Sequence, residues 1–198
     1  FKEEKKDLTL EKKFIRLEEE RLKEMAGFYL NPESGETVSV LFDQKNKRLS
    51  LRLFDQIFPL EAISENEFEA IEATQAATVS FEKKRGEKFL SLSIIQEGEN
   101  PRVYERFELW SPGPEELKEY EGNYYSEELQ AMFILALKEG KLYFVHRNAP
   151  KLPLNPVVQD RFNLRSFRLH FLRNPQRKVN AFTLNAGRVR NIRFEKKR

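Results

Sequence analysis

The stretch YEGNYYSEELQAMFILALKEGKLYFVHR, residues 120–147, opens Gly-x-Tyr at Gly122, crosses a polar turn, runs through an alternating apolar segment, turns at Glu139-Gly140 and enters a second alternating segment. An earlier stretch, MAGFYLNPESGETVSVLFDQKNKRLSLRL at residues 25–53, follows the same plan. Gly27 and Tyr29 match Gly122 and Tyr124 at an offset of 95, Leu49 and Leu51 match Leu142 and Phe144 at 93, and Pro59-Leu60 and Phe68 match Pro153-Leu154 and Phe162 at 94. A spacing this long lies outside the roughly 20–50 residues of solenoid repeats, so it indicates a duplicated domain. Each copy is expected to fold around its own core.

Working outward from the quoted stretch, the second copy reads as eight short strands, near residues 121–126, 129–138, 141–147, 150–155, 161–165, 167–173, 178–184 and 187–195. Glu139-Gly140, Asn174-Pro175 and Asn185-Ala186-Gly187 supply turns, and Pro156 to Asp160 reads as a looser loop. The first copy gives eight candidates too, through Thr37–Phe42 and Phe89–Ile94. Eight antiparallel strands joined mostly by hairpins, in about 85 to 90 residues, favour a small closed barrel over a sandwich, because closure removes exposed edges. The fold expected is therefore all-β: two tandem eight-stranded antiparallel barrels, residues 23–110 and 115–198, preceded by an N-terminal helix. Ser111-Pro112-Gly113-Pro114 is read as the linker, since proline cannot continue a sheet ladder. Residues 1–22 form a connector, with a helix expected from about Thr9 to Glu24 because Phe14, Leu17, Leu22 and Met25 lean to one side. Both barrel interiors should be filled. In the second the inward set is Phe133, Leu135, Leu142, Phe144, Phe162, Phe171 and Ile192.

Composition removes several functions. There is no Cys, which excludes disulfides, thiol catalysis and thiolate metal sites. Every apolar run is broken by charge before the ~18 residues of a spanning helix, so no membrane span is expected. With Phe1 in place of Met and no signal peptide ahead of the first charges, the chain reads as a fragment of something longer. The net charge of +3 conceals a division: residues 115–198 carry 17 Lys and Arg against 9 Asp and Glu, the rest 18 against 23. From Lys151 to Arg198 the balance is 13 against 2, interleaved with Phe162, Phe167, Phe171, Phe182 and Phe194. Basic residues among aromatic ones can serve single-stranded nucleic acid. Alternation instead puts the phenylalanines opposite several arginines, as an apolar inside and a basic outside require, and disfavours nucleic acid as the partner.

Site chemistry is thin. His146 and His170 are the only histidines, on different strands and without acids at ligand spacing, so no metal site is assigned. No Gly-rich phosphate loop is present, and no cofactor is expected.

The pattern Tyr120-x-Gly122-x-Tyr124, turn, alternating strand, Gly140-Lys141-Leu142-Tyr143, then Pro153-Leu154-x-Pro156 and a strand containing Phe162 resembles the C-terminal β-barrel domains of serine hydrolases of the β-lactamase and penicillin-binding-protein superfamily. Tandem lipocalin-like barrels occur in its D-aminopeptidase branch. The resemblance covers roughly residues 23–198, best in the second copy; in the first, Lys45-Asn46-Lys47-Arg48-Leu49 replaces Glu139-Gly140-Lys141-Leu142. It implies a non-catalytic accessory or interaction module that follows an upstream catalytic domain, shapes or covers its active site or holds subunits of a homo-oligomer together, and works outside the cytoplasm. Two stretches imitate the superfamily's catalytic motifs: Ser80-Phe81-Glu82-Lys83 has the form Ser-x-x-Lys, and Tyr29-Leu30-Asn31 the form Tyr-x-Asn. Ser80 falls on a strand-like run where residues three apart point to opposite faces, Tyr29 precedes Ser80, and no Lys-Thr-Gly triplet follows. No catalytic residue is assigned, and this chain is not expected to be an enzyme. Two alternatives stay open: a small apolar ligand such as a lipid inside one barrel, and nucleic acid on the basic second copy.

Overall fold

Alternating side chains dictate which side of a strand meets the core. In a computed structural model that describes residues 14–53, 56–73, 75–83, 89–145 and 150–197, the alternating runs become antiparallel ladders. They fall into two compact units, the chain passing from one to the other after Arg106.

In the first unit β1 (Gly27–Leu30), β2 (Thr37–Asp43), β3 (Arg48–Leu53), β4 (Gln56–Ala62), β5 (Glu67–Ala70), β6 (Ala77–Lys83), β7 (Phe89–Gln96) and β8 (Arg102–Phe107) form a closed barrel in chain order. Helix α1 (Glu19–Met25) precedes β1 and buries Leu22 and Met25 in the barrel's core with Tyr29, Leu49, Phe68 and Phe81.

In the second unit a short helix α2 (Pro114–Lys118) leads into β9 (Gly122–Ser126), β10 (Ala131–Lys138), β11 (Lys141–Val145), β12 (Leu152–Pro153), β13 (Asn155–Val158), β14 (Arg161–Leu164), β15 (Phe167–Arg173), β16 (Val179–Ala186) and β17 (Val189–Lys197). These make a nearly closed nine-stranded sheet in which β9 pairs with β17, while β12 and β13 are its two ends. The sequence reading expected eight strands. The ninth arises because residues 150–158, read as one strand and a loop, form two: Pro153 and Pro156 offer no N–H to a ladder, and the register shifts between Pro156 and Val158. All-β tandem barrels with an N-terminal helix are thus what the chain folds into.

The first helix differs from expectation. Thr9 to Lys13 lie outside the described residues, and residues 14–18 are not helical: Ile15 donates its N–H to the carbonyl of Ala62 at 2.9 Å. A free carbonyl on β4 competes successfully with a helical turn there, because a helix start supplies no partner for its own first N–H groups.

That contact recurs. Trp110 donates its N–H to the carbonyl of Val157, also at 2.9 Å. Ile15 and Trp110, Leu22 and Leu117, Met25 and Tyr120, Gly27 and Gly122, Tyr29 and Tyr124 all stand 95 residues apart. The duplicated unit therefore includes the extended segment and helix ahead of each Gly-x-Tyr. Both tyrosines are fully buried and donate their hydroxyls four residues back, Tyr29 to the Met25 carbonyl at 2.6 Å and Tyr124 to the Tyr120 carbonyl at 3.0 Å. A cation from the last strand then ties down each helix end. Arg106 donates to the Glu24 carbonyl at 2.7 Å and lies over the Tyr29 ring; Lys196 donates to the Glu119 carbonyl at 2.9 Å and lies over the Tyr124 ring. The glycines leave room for these side chains. Gly122 has φ +144°, and a Cβ there would lie 2.6 Å from Cε of Lys196. Gly122→Ala should displace Lys196 and strain the backbone, lowering stability by about 1–3 kcal/mol in urea titration, whereas Gly98→Ala, on an open turn, should cost less.

Candidate functional site

The two stretches that imitate catalytic motifs are placed by the barrel, and it does not bring them together as a nucleophile and its base. Ser80 is half-buried on β6, opposite Glu67 and Ser93. Lys83, three residues on, faces the other side of the strand and pairs with Glu24 at 3.0 Å. Tyr29 is in the core with its hydroxyl on a backbone carbonyl, and Asn31 donates to the Val103 carbonyl at 2.9 Å. These are folding contacts. His146 lies outside the described residues. His170 is exposed on β15, its imidazole held below the usual range by desolvation and then by nearby Arg161. Among the described residues no three His, Asp or Glu side chains converge as a metal site, and no helix is long and apolar enough to cross a membrane.

The second unit contains one dense polar network. Arg173 on β15 donates from Nε to both carboxylate oxygens of Asp160, at 3.0 and 2.9 Å, and from Nη1 to Glu119 at 2.7 Å; Tyr120 donates its hydroxyl to Asp160 at 2.7 Å. Burial, followed by the hydrogen bond to Asp160, pushes the Tyr120 phenol up to about 12. Each group has its partner, so the network fastens the end of α2 to the sheet and presents no poised acid or base. Of the five phenylalanines in the basic region, Phe162, Phe171, Phe182 and Phe194 are buried core residues, and Phe167 alone is exposed. Rings inside a core cannot stack on bases.

What the surface of the second barrel does present is an apolar sheet face. Its expected inward set is accounted for: Leu135, Leu142, Phe162, Phe171 and Ile192 are buried, and Phe133 and Phe144 stack at 4.1 Å against that core. The opposite side of β9, β10 and β11 carries Tyr125, Met132, Ile134, Ala136, Tyr143 and Val145. Met132 stands opposite Tyr125, Ile134 opposite Val145, and Ala136 opposite Tyr143, so the six form contiguous rows. Met132 is 46% exposed and Ile134 36%, with Leu129 at 48% on the adjoining turn. The first barrel holds Leu30, Thr37, Ser39, Leu41, Ser50 and Arg52 at the corresponding positions, where Leu30 pairs with Thr37 and Ser39 with Arg52. One fold thus tolerates either a largely polar face, with four polar residues of six, or an apolar one here. Asn123, opposite Ile134 on β9, and Lys197, over the Tyr125 ring, border this apolar face.

Sequence reasoning passed over this face. The signal was present in AMFILALK, residues 131–138, where both parities are apolar, as in a strand covered on both sides. Set beside known families and curated proteins, the chain matches no family model and no curated protein.

Proposed function

We propose that the two barrels are a non-catalytic accessory module of a serine hydrolase of the β-lactamase and penicillin-binding-protein superfamily, acting outside the cytoplasm. The observation that carries the interaction role is the apolar face of Tyr125, Met132, Ile134, Ala136, Tyr143 and Val145 on a barrel whose own core is complete without it. The similarity of the Gly-x-Tyr and Pro-Leu-x-Pro stretches to C-terminal barrels of that superfamily supplies the partner: the catalytic domain upstream in the parent chain. Covering the exposed parts of Met132 and Ile134 and the edges of the two Tyr rings contributes on the order of 2–3 kcal/mol of gross hydrophobic stabilisation, enough to bias a tethered barrel toward a docked position.

The coding sequence upstream of Phe1 should specify a domain with Ser-x-x-Lys and Tyr-x-Asn in that order. When that domain is supplied in trans, calorimetry should show binding by the barrels that is lost in Ile134→Lys, with melting of the variant unchanged because the site is on the surface. The barrels alone should turn over nitrocefin, a chromogenic ester and D-amino acid amides at background rates. Turnover abolished by Ser80→Ala would sink the reading, as would an upstream sequence lacking both motifs.

A further inference from the structure

Both interiors were expected to be filled, but the first barrel departs from this at the end remote from the helix. Strand registers align the seats. Val38 faces Tyr29 as Phe133 faces Tyr124; Leu51 faces Val40 as Phe144 faces Leu135. Ala70 faces Ala77 as Leu164 faces Phe167, and Arg102 faces Ile94 as Ile192 faces Leu184. In the second barrel the stacked pair Phe133 and Phe144, with Leu164 and Ile192, closes that end. In the first the same seats hold Val, Leu, Ala and Arg, and a depression of about 380 Å³ remains, walled by Leu51, Phe58, Ala70, Ala77 and Ile94. Its volume lies within the roughly 300–1,000 Å³ of small-molecule sites.

The polar groups at this mouth are few and placed. Arg102 shares the inward side of its strand with fully buried Tyr104, and its Nη2 donates to Oε1 of Gln96 at 2.6 Å. Among the described residues lining the mouth, Arg102 carries the only formal charge, with Gln56, Gln75 and Gln96 as neutral amides. A guanidinium at the lip of an apolar well suits a carboxylate head, which takes two of its five N–H donors in one plane. The walls suit a hydrocarbon tail.

We propose that the first barrel binds a small apolar carboxylate at this mouth, tail against Leu51, Ala70, Ala77 and Ile94 and head toward Arg102. The second barrel, with phenylalanines in the equivalent seats, binds none. The site is independent of the docking face on the second barrel, and either can fail without the other.

Decanoate, kept below its micellar concentration, is the probe, titrated into the whole chain and followed by calorimetry and amide NMR shifts. Saturable binding to one site is expected, with shifts confined to the strands around Ala70 and Ile94. Ala70→Leu copies Leu164 of the second barrel and should abolish binding while the protein still melts cooperatively; Ile94→Phe fills the same space should the first variant not fold. Arg102→Gln should weaken decanoate at least tenfold and leave binding of neutral decanol unchanged. No saturable decanoate binding, binding that survives both filling variants, or equal loss of decanol and decanoate in Arg102→Gln would each overturn the proposal.

Discussion

Phe182→Ala should unfold the second barrel under conditions that leave the first intact, with a loss of about 3–5 kcal/mol. Phe182 is 0% exposed and stands at the crossing of the ring network: Phe194 stacks on it at 4.7 Å, and Tyr124, Phe171 and Phe133 lie at 5.0, 5.4 and 5.6 Å. Truncation to Ala removes contacts to four rings at once. None of them can collapse into the gap without leaving another neighbour, so a cavity persists. A domain is stable by only about 5–15 kcal/mol, which makes this a large fraction of the total. The chain's one Trp, Trp110, packs on Tyr120 and Phe162 in the second unit, so its fluorescence reports that barrel alone. Urea titration should show the Trp transition moved to lower concentration while circular dichroism splits into two steps. A single transition shared by both probes would show that the two cores do not unfold separately.

Alkaline pH should produce the second large effect, again in the second barrel. Burial, then the bond to Asp160, raises the Tyr120 phenol to about 12, with Arg173 opposing; burial, then neighbouring Tyr120, raises Tyr124 further. Both groups bind their protons more tightly folded than unfolded. Their stabilisation is complete below the ordinary tyrosine value near 10 and is lost as pH rises through the folded values. Tyr120 alone should withdraw on the order of 2–3 kcal/mol between pH 10 and 12. Urea midpoints read by Trp110 at pH 8, 10 and 11.5 give the measurement: flat below 10, falling above. Tyr120→Phe should lower the midpoint at pH 8, since Asp160 and Arg173 lose a partner, but should flatten the alkaline slope. An unchanged slope in that variant would remove Tyr120 as its source.

The parts of the fold legible in the sequence were those carried by local pattern. Glu139-Gly140 marks the β10 to β11 turn because a type I′ two-residue hairpin has positive φ at both tip residues, and Glu139 and Gly140 adopt +50° and +72°. Leu142 and Phe144 point inward and Tyr143 outward, as period-two alternation requires. The helix boundary was not legible, because Ile15 is held by the carbonyl of Ala62, a partner 47 residues away. The apolar face was half legible. Seven residues of AMFILALK are apolar, yet the run does not say which of them the barrel has no room for.

Duplication, strand count to within one, the all-β class and the absence of thiol chemistry were therefore determined by the sequence alone, since each rests on neighbours in the chain or on composition. Tertiary structure decided the rest. Closure of β1 to β8 into a barrel brought Arg102 and Ala70 to one mouth and Arg106 to the end of α1, across 82 residues of chain in the bond to Glu24. Pairing of β9 with β10 and of β10 with β11 gathered Tyr125, Ile134 and Val145 into one patch. The physical reason is the same in each case. A strand states which residues share a side, but only its partners' register states what lies opposite them, and whether the space enclosed is filled is a property of all eight or nine strands together.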